Sequence, residues 1–130
     1  MSSDAEQAGG DARDPLTAAV IGCAYEVATT LGHGFLEKVY ENALAHRLRK
    51  AGLDAVQQHP INVYFDGIVV GEFCADILVD NALIVELKSV KELADVHTAQ
   101  CLNYSKATGL KTCLLINFGK PRIDIKRLSS

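Results

Sequence analysis

The stretch CADILVDNALIVELKSV, residues 74–90, places charged side chains in a segment that is otherwise apolar. Two apolar runs flank a polar pair at 80–81, which predicts two antiparallel strands joined by a tight turn. Asp76, Glu86 and Lys88 lie inside these runs. Because burying an unpaired charge is strongly unfavourable, these side chains must be paired with each other, hold a metal, or face solvent.

The length of the connection between the two strands determines whether Asp76 and Glu86 can meet. With a two-residue turn at 80–81, Asp76 lies opposite Val85, and the two carboxylates point to opposite sides of the sheet. With a three-residue turn or a bulge, Asp76 lies opposite Glu86, and their Cβ atoms are about 5 Å apart. The residues leave both registers open. We predict the second, because only there can the carboxylates share a cation.

Two adjacent carboxylates followed by a lysine suit a hard divalent cation. Mg²⁺ takes one or two protein carboxylates and keeps several waters, and it can stabilise charge on a phosphoryl oxygen. Lys88 lies on the same strand face as Glu86, where an ammonium group can orient water or neutralise a transition state. The alternative is an ion pair of Lys88 with Asp76 or Glu86 on a solvent-facing strand.

Around this stretch, hydrophobic periodicity predicts a mixed α/β structure with one sheet. Asp14 and Pro15 suit the N-cap and the first residue of a helix, and Asp66-Gly67 marks a two-residue hairpin turn. The strand over 83–88 is nearly all apolar, which predicts a central position in the sheet. The predicted order is helices over 15–31 and 35–51, strands over 61–65, 68–79 and 83–88, a helix over 95–108, and strands over 112–117 and 123–127.

Two of the predicted helices carry polar residues whose position on the helix suggests a partner or a ligand. Helical spacing places Glu37 in the stripe that contains Leu44 and Leu48, so its carboxylate needs a partner or reaches solvent from the helix end. In the third helix, Gln100 and Tyr104 are four residues apart and share one face. Both side chains can therefore contact one ligand.

Length and composition indicate one compact domain. The chain has 130 residues, of which 48% are hydrophobic, enough for a single core. No apolar run approaches the ~20 residues of a membrane span and no signal pattern occurs at the N-terminus, so we expect no membrane partner and a cytoplasmic location. Residues 1–14 hold four acidic side chains against one arginine, which predicts a disordered acidic leader before a domain over 15–130.

The charge along the rest of the chain is uneven. Residues 106–127 hold six basic side chains against one aspartate, and such a surface can meet phosphates or be merely solvated. The four cysteines lie far apart without metal-ligand spacing, so we expect buried reduced thiols. A four-thiol iron–sulfur site would need all four to converge, and the sequence leaves it open.

These residues carry a resemblance to a known family. Residues 34–40, GFLEKVY, resemble the signature of the GxxExxY protein family. Asp76 with the ELK run at 86–88 resembles the core of the PD-(D/E)XK nuclease superfamily, and residues 100–104 resemble the QxxxY motif of its exonuclease branch. The resemblance extends over residues 16–128. It implies an α/β fold of the restriction-endonuclease-like type, with a single mixed β-sheet flanked by helices.

The resemblance also implies roles for four catalytic residues. Asp76 and Glu86 would hold Mg²⁺ or Mn²⁺, with the backbone carbonyl of Leu87 as a third ligand. Glu37 would contact a water of the metal, and Lys88 would assist the nucleophile. The charges of the opening stretch would then be stabilised by a cation and by each other.

Gln100 and Tyr104 would order the substrate strand or the metal's waters. The implied activity is metal-dependent hydrolysis of phosphodiester bonds in DNA, with RNA as the second choice. Two alternatives stay open: a catalytically silent nucleic-acid- or protein-binding module on the same fold, and a ligand-binding domain with a structural acidic pair. The near-neutral domain lacks the basic stripe of most nonspecific DNA binders. A second copy of the chain or a partner protein could therefore select the substrate.

Overall fold

The computed structural model describes residues 14–129. Apart from Asp14, the predicted acidic leader lies outside the described residues, as does Ser130. The described part contains α1 (Pro15–Leu31), α2 (Glu37–Lys50), β1 (Ala55–Phe65), β2 (Ile68–Val79), β3 (Leu83–Lys88), α3 (Asp95–Thr108), β4 (Thr112–Asn117) and β5 (Asp124–Ser129). This order is the predicted one. No helix among these residues is long and apolar enough to span a membrane.

The strands form one mixed sheet in the order β1-β2-β3-β4-β5. β3 and β4 are parallel and are joined through α3, whereas the other neighbours are antiparallel. The apolar strand β3 is therefore central, as predicted, and has a partner on each side. The mixed α/β fold is confirmed.

The helices cover both faces of the sheet. α1 and α2 pack on one face, in a first core cluster that includes Ile77, Val85 and Leu87. α3 packs on the other face, in a second core cluster that includes Leu78 and Ile84. Because successive strand residues point to opposite faces, β3 contributes to both clusters, and this anchors the strand that carries Glu86 and Lys88.

The N-terminal cap of α1 connects the two ends of the described chain. The carboxylate of Asp14 accepts hydrogen bonds from the backbone N–H of Thr17 at 3.3 Å and from its Oγ1 at 2.6 Å. Arg127 of β5 lies 3.3 Å from the same carboxylate. Burial raises the pKa of Asp14, but the bonds from Thr17 and Arg127 outweigh it and lower the pKa below its usual value. The cap and the ion pair therefore link the start of α1 to β5.

The cysteines differ from the prediction. Cys101 in α3 and Cys113 in β4 form a disulfide, Cys74 is exposed, and Cys23 is a buried free thiol. The prediction of four buried reduced thiols is wrong, because the pairing depends on α3 lying against β4, which sequence spacing alone does not reveal. The iron–sulfur alternative is excluded too, since two of its four sulfurs are bonded to each other.

Candidate active site

The turn between β2 and β3 has the length that lets the two acidic residues meet. The last backbone pair before the site is Ile77 with Val85, and residues 80–82 form a three-residue connection. Extending this register places Asp76 opposite Glu86. The first two turn residues have φ values of +51° and +56°, a conformation that Asp and Asn tolerate better than most residues. The predicted register is confirmed.

Beyond this last pair, β2 and β3 separate, and the two carboxylates bridge the gap. The backbone N–H of Asp76 donates to Oε2 of Glu86 at 2.9 Å. In return, the backbone N–H of Leu87 donates to Oδ2 of Asp76 at 2.8 Å. Each carboxylate is thus held by the main chain of the opposite strand. We call this arrangement of Asp76, Glu86 and the N–H of Leu87 the fork.

The alternation of side chains between the two faces of the sheet is interrupted in β2 at Asp76. Ile77 belongs to the first core cluster and Ala75 to the second, although residues two apart in a regular strand share a face. Across from this point on β1, Gln58 has a φ of +53°, which is uncommon for a residue other than glycine or asparagine. The irregularity in both strands therefore coincides with the site.

Burial and the negative charges of neighbouring carboxylates raise the pKa of both carboxyl groups. Glu86 is only 5% exposed; its burial, followed by the charge of Asp76, raises its pKa to about 8. Burial also raises the pKa of Asp76, although the hydrogen bond from Leu87 opposes this effect. The negative charge of Asp76 therefore favours a proton on Glu86 near neutral pH, and a positive charge beside the pair would favour the ionised form.

Glu37 begins α2 at the edge of the site. Its side chain is exposed, which agrees with the alternative that the carboxylate reaches solvent from the helix end. The buried residues of α2 begin at Tyr40. The negative charge of Glu37 nevertheless raises the pKa of both Asp76 and Glu86. Glu37 therefore lies near the acidic pair, on its solvent side.

The buried carboxylate of α2 belongs to Glu41, which was not predicted. Glu41 is 4% exposed and accepts hydrogen bonds from Nζ of Lys38 at 3.0 Å, from Nε2 of Gln57 at 2.8 Å and from Nε2 of Gln58 at 2.9 Å. The signal was present, because Glu41 lies three and seven residues before two buried leucines. The resemblance to the GxxExxY signature drew attention to Glu37 instead.

Gln58 connects Glu41 to the acidic pair. Besides its bond to Glu41, its Nε2 approaches Oδ1 of Asp76 at 3.5 Å. One oxygen of Asp76 therefore faces the side chain of Gln58, and the other accepts the N–H of Leu87. This contact depends on the positive φ of Gln58, which no sequence pattern indicated.

Lys88 and Leu87 end β3 beside the carboxylates. Lys88 is half-buried and its positive charge lowers the pKa of Glu86. Within residues 14–129, Lys88 forms no salt bridge, so the alternative of a direct ion pair to Asp76 or Glu86 is not observed. Leu87 directs its N–H into the gap at Asp76, and the carbonyl of a strand residue points to the same side as its N–H.

Gln100 and Tyr104 lie together on the wall of a groove between α3 and the β1–β2 hairpin, with a volume of about 670 Å³. The ring of Tyr104 stacks on Phe73 of β2 with centroids 4.1 Å apart. Burial, and then the charges of Glu86 and Asp76, raise the pKa of Tyr104 to about 12. Tyr104 therefore connects the groove to the acidic pair, and its predicted shared face with Gln100 is confirmed.

Comparison with protein families agrees with this geometry. The family model described as the PD-(D/E)XK nuclease superfamily matches residues 14–128. This chain belongs to the PD-(D/E)XK nuclease superfamily. No curated protein and no solved structure matches it. In the PD-(D/E)XK pattern, Asp76 and the run Glu86-Leu87-Lys88 supply the named residues, with Ala75 in place of the proline.

The oxygen atoms at this PD-(D/E)XK site fit a hard divalent cation. Asp76 and Glu86 supply carboxylates and Leu87 a carbonyl directed into the gap, and oxygen ligands are those that Mg²⁺ prefers. A bound cation would offset the burial and the negative charge of Asp76 that raise the pKa of Glu86. No group of three or more His, Cys, Asp or Glu side chains in residues 14–129 is arranged to hold a metal. The donor set therefore suits an ion that keeps several waters.

Proposed function

We propose that this protein is a nuclease of the GxxExxY branch that hydrolyses phosphodiester bonds with Mg²⁺ or Mn²⁺, in DNA rather than RNA. The observation that carries the proposal is the fork at which Asp76 and Glu86 lie side by side, with Lys88 two residues further on. Membership of the PD-(D/E)XK superfamily supports a nucleic-acid substrate.

The residues at and beside the fork have separate roles in the proposed reaction. Asp76, Glu86 and the carbonyl of Leu87 would hold the cation. When bound, the cation supplies positive charge against the negative charge that develops on the phosphoryl group. Lys88 donates hydrogen bonds to the attacking water or to a phosphoryl oxygen, which stabilises the transition state. Glu37, exposed at the start of α2, accepts a hydrogen bond from water on the open side of the site.

A cleavage assay with two variants tests this function. Purified protein is incubated with Mg²⁺ or Mn²⁺ and with single-stranded DNA, duplex DNA, branched DNA or RNA. Lys88→Ala should fold normally and lose roughly 10²-fold or more of the cleavage rate, as expected when an electrostatic stabiliser is removed. Asp76→Asn should lose cation binding and cleavage together.

Matched substitutions control for the loss of a charge. Lys111→Ala removes an exposed lysine between α3 and β4, and Asp66→Asn keeps the hairpin turn, since Asn-Gly and Asp-Gly serve equally well. Both should cleave at the wild-type rate. A cleavage rate that neither Lys88→Ala nor Asp76→Asn changes would contradict the proposed site. So would cleavage that needs no divalent cation.

A silent nucleic-acid-binding module is the second candidate. One observation favours it: the carboxylates of Asp76 and Glu86 each accept a backbone N–H, so the pair is partly satisfied without a cation. Binding of one of these nucleic acids without cation-dependent cleavage of any of them would select this alternative.

A further inference from the structure

The groove beside α3 is lined in part by β2, the strand that carries Asp76. Its floor includes Phe73, which precedes Asp76 by three residues on β2, a distance of about 10 Å along a strand. Tyr104 stacks on Phe73 from the helix side and lines the same groove. Strand β2 and Tyr104 therefore connect the groove to the neighbourhood of the acidic pair.

The chemistry of the lining selects among possible ligands. Besides four aliphatic side chains, the lining contains three aromatic rings, three carboxamides and one cation. These belong to Tyr64, Phe73, Tyr104, Asn62, Gln100, Asn103 and Lys106. Among residues 14–129, no carboxylate lines the groove, although acidic residues outnumber basic ones in the chain. Rings and carboxamides can contact bases, and a wall without negative charge accepts a phosphate backbone.

The β1–β2 hairpin aims an aromatic ring at this groove. The pairing register shifts between Val63 and Tyr64, because Val63 pairs with Gly71 whereas Tyr64 pairs with Val69. Such a bulge strengthens the local twist and re-aims side chains. Val63 and Tyr64, although adjacent in sequence, both line the groove. The side chain of Tyr64 is 61% exposed. An exposed ring at the mouth of a groove is free to stack on a ligand.

We propose that this groove binds a single-stranded nucleic acid, with bases stacked on Tyr64 and the backbone passing Lys106 towards the fork. In a duplex the bases are stacked and paired, and only their edges are open in the grooves. Protein rings can therefore stack on bases only where the strand is single. This inference rests on the proposed function, because it takes nucleic acid as the substrate.

Binding without cleavage tests the inference. Fluorescence anisotropy in a chelator compares a labelled single-stranded DNA, the RNA of the same sequence and a blunt DNA duplex. Wild-type protein should bind a single strand at least tenfold more tightly than the duplex. Tyr64→Ala should weaken single-strand binding by roughly 5- to 100-fold, which corresponds to the stacking of one base. The DNA and RNA arms show which sugar the groove accepts.

Three further variants make the test specific. Tyr64→Phe keeps the ring and should retain binding within about twofold, which separates stacking from a general disturbance of the hairpin. Tyr25→Ala removes a tyrosine that is 48% exposed on α1, on the opposite face of the sheet, and should change nothing. Lys106→Ala should weaken binding, whereas Lys111→Ala should not.

Equal affinity for duplex and single strand, no effect of Tyr64→Ala, or no binding to any of the three nucleic acids would overturn the inference. Failure of the groove inference can be distinguished from failure of the nuclease proposal. Single-strand binding through Tyr64 without cleavage in Mg²⁺ would contradict the nuclease alone. Cation-dependent cleavage with a preference for duplex binding would contradict the groove alone.

Discussion

At the scale of single residues, the carboxyl group of Glu86 should make the stability of the protein depend on pH. In the folded protein its pKa is about 8, against an ordinary value of 4.5. Between these values the folded state keeps a proton that the unfolded chain has released. The stability of the cation-free protein should therefore fall as pH rises from about 4.5 to 8, and this contribution should stay constant above pH 8.

Glu86→Gln removes this titration. Glutamine can still accept the hydrogen bond from the N–H of Asp76, so the fork should persist. In a chelator, the Tm of Glu86→Gln should exceed that of the wild type at pH 8 and approach it at pH 5. Thermal scans at several pH values measure the difference. Parallel Tm curves for both proteins would show that Glu86 does not carry the pH dependence.

Gln58 has two separable roles, one in its backbone and one in its side chain. Gln58→Ala loses the amide and keeps an unfavourable positive φ, whereas Gln58→Gly loses the amide and relieves the backbone. The glycine variant should therefore be more stable than the alanine variant by about 1 kcal/mol, as measured by urea unfolding.

The two Gln58 variants should differ in stability but not in their affinity for a divalent cation. Both Gln58 variants should bind Mn²⁺ roughly tenfold more weakly in a calorimetric titration, as is typical when a group that orients a ligand is removed. Full affinity in Gln58→Gly would mean that the contact to Asp76 at 3.5 Å does not orient this carboxylate.

At the scale of elements, two loops are clamped together behind the site. Asn117, at the end of β4, accepts hydrogen bonds from the N–H groups of Val90 and Gly119 and donates one to the carbonyl of Val90. A Cβ atom on Gly119 would lie less than 3 Å from the backbone of Ser89 and Val90. The clamp holds the segment that follows Lys88, so it needs glycine at position 119.

Gly119→Ala should destabilise the protein by about 2 kcal/mol or more, since backbone atoms cannot yield as a flexible side chain can. It should also slow cleavage, because the end of β3 moves. Gly22→Ala is the matched control: Gly22 lies in α1 with open space around its Cβ position. That variant should gain about 0.5–1 kcal/mol. Urea unfolding measures both changes.

Periodicity was sufficient for most elements and failed where polar residues interrupt it. The bounds of α1, β2, β3 and α3 agree with the prediction. β1 begins at Ala55, six residues before the predicted start, because the polar run at 57–59 hides the alternation. That same run contains Gln58, whose contacts define the site. The irregular part of a strand is thus the part that pattern alone cannot locate.

The candidate site was predictable where it depends on local register and not where it depends on packing. The spacing of Asp76 and Glu86 is local and left two registers open, and the requirement that the carboxylates share a cation selected the observed one. The buried position of Glu41 depends on how α2 lies on β1, and the disulfide between Cys101 and Cys113 on how α3 lies on β4. Both require the tertiary arrangement.

At the scale of the whole molecule, charge limits how a nucleic acid can be held. The chain has a net charge of -3. Within the part of the chain that the structure describes, Lys106 is the only charged residue in the lining of the groove. Lys88 adds a second cation at the fork. Binding should therefore depend on stacking more than on release of counterions, which would make its salt dependence shallow.

With two lysines engaged, the slope of log affinity against log salt for single-stranded DNA should be about -1.4. Lys106→Ala should reduce it to about -0.7, whereas Lys111→Ala should leave it unchanged, because Lys111 is exposed outside the groove. Anisotropy titrations in a chelator, from about 50 to 200 mM salt, measure the slope. A slope steeper than about -4 would require many more phosphate contacts than the two lysines supply, and the strand would then have to follow a different path across the surface.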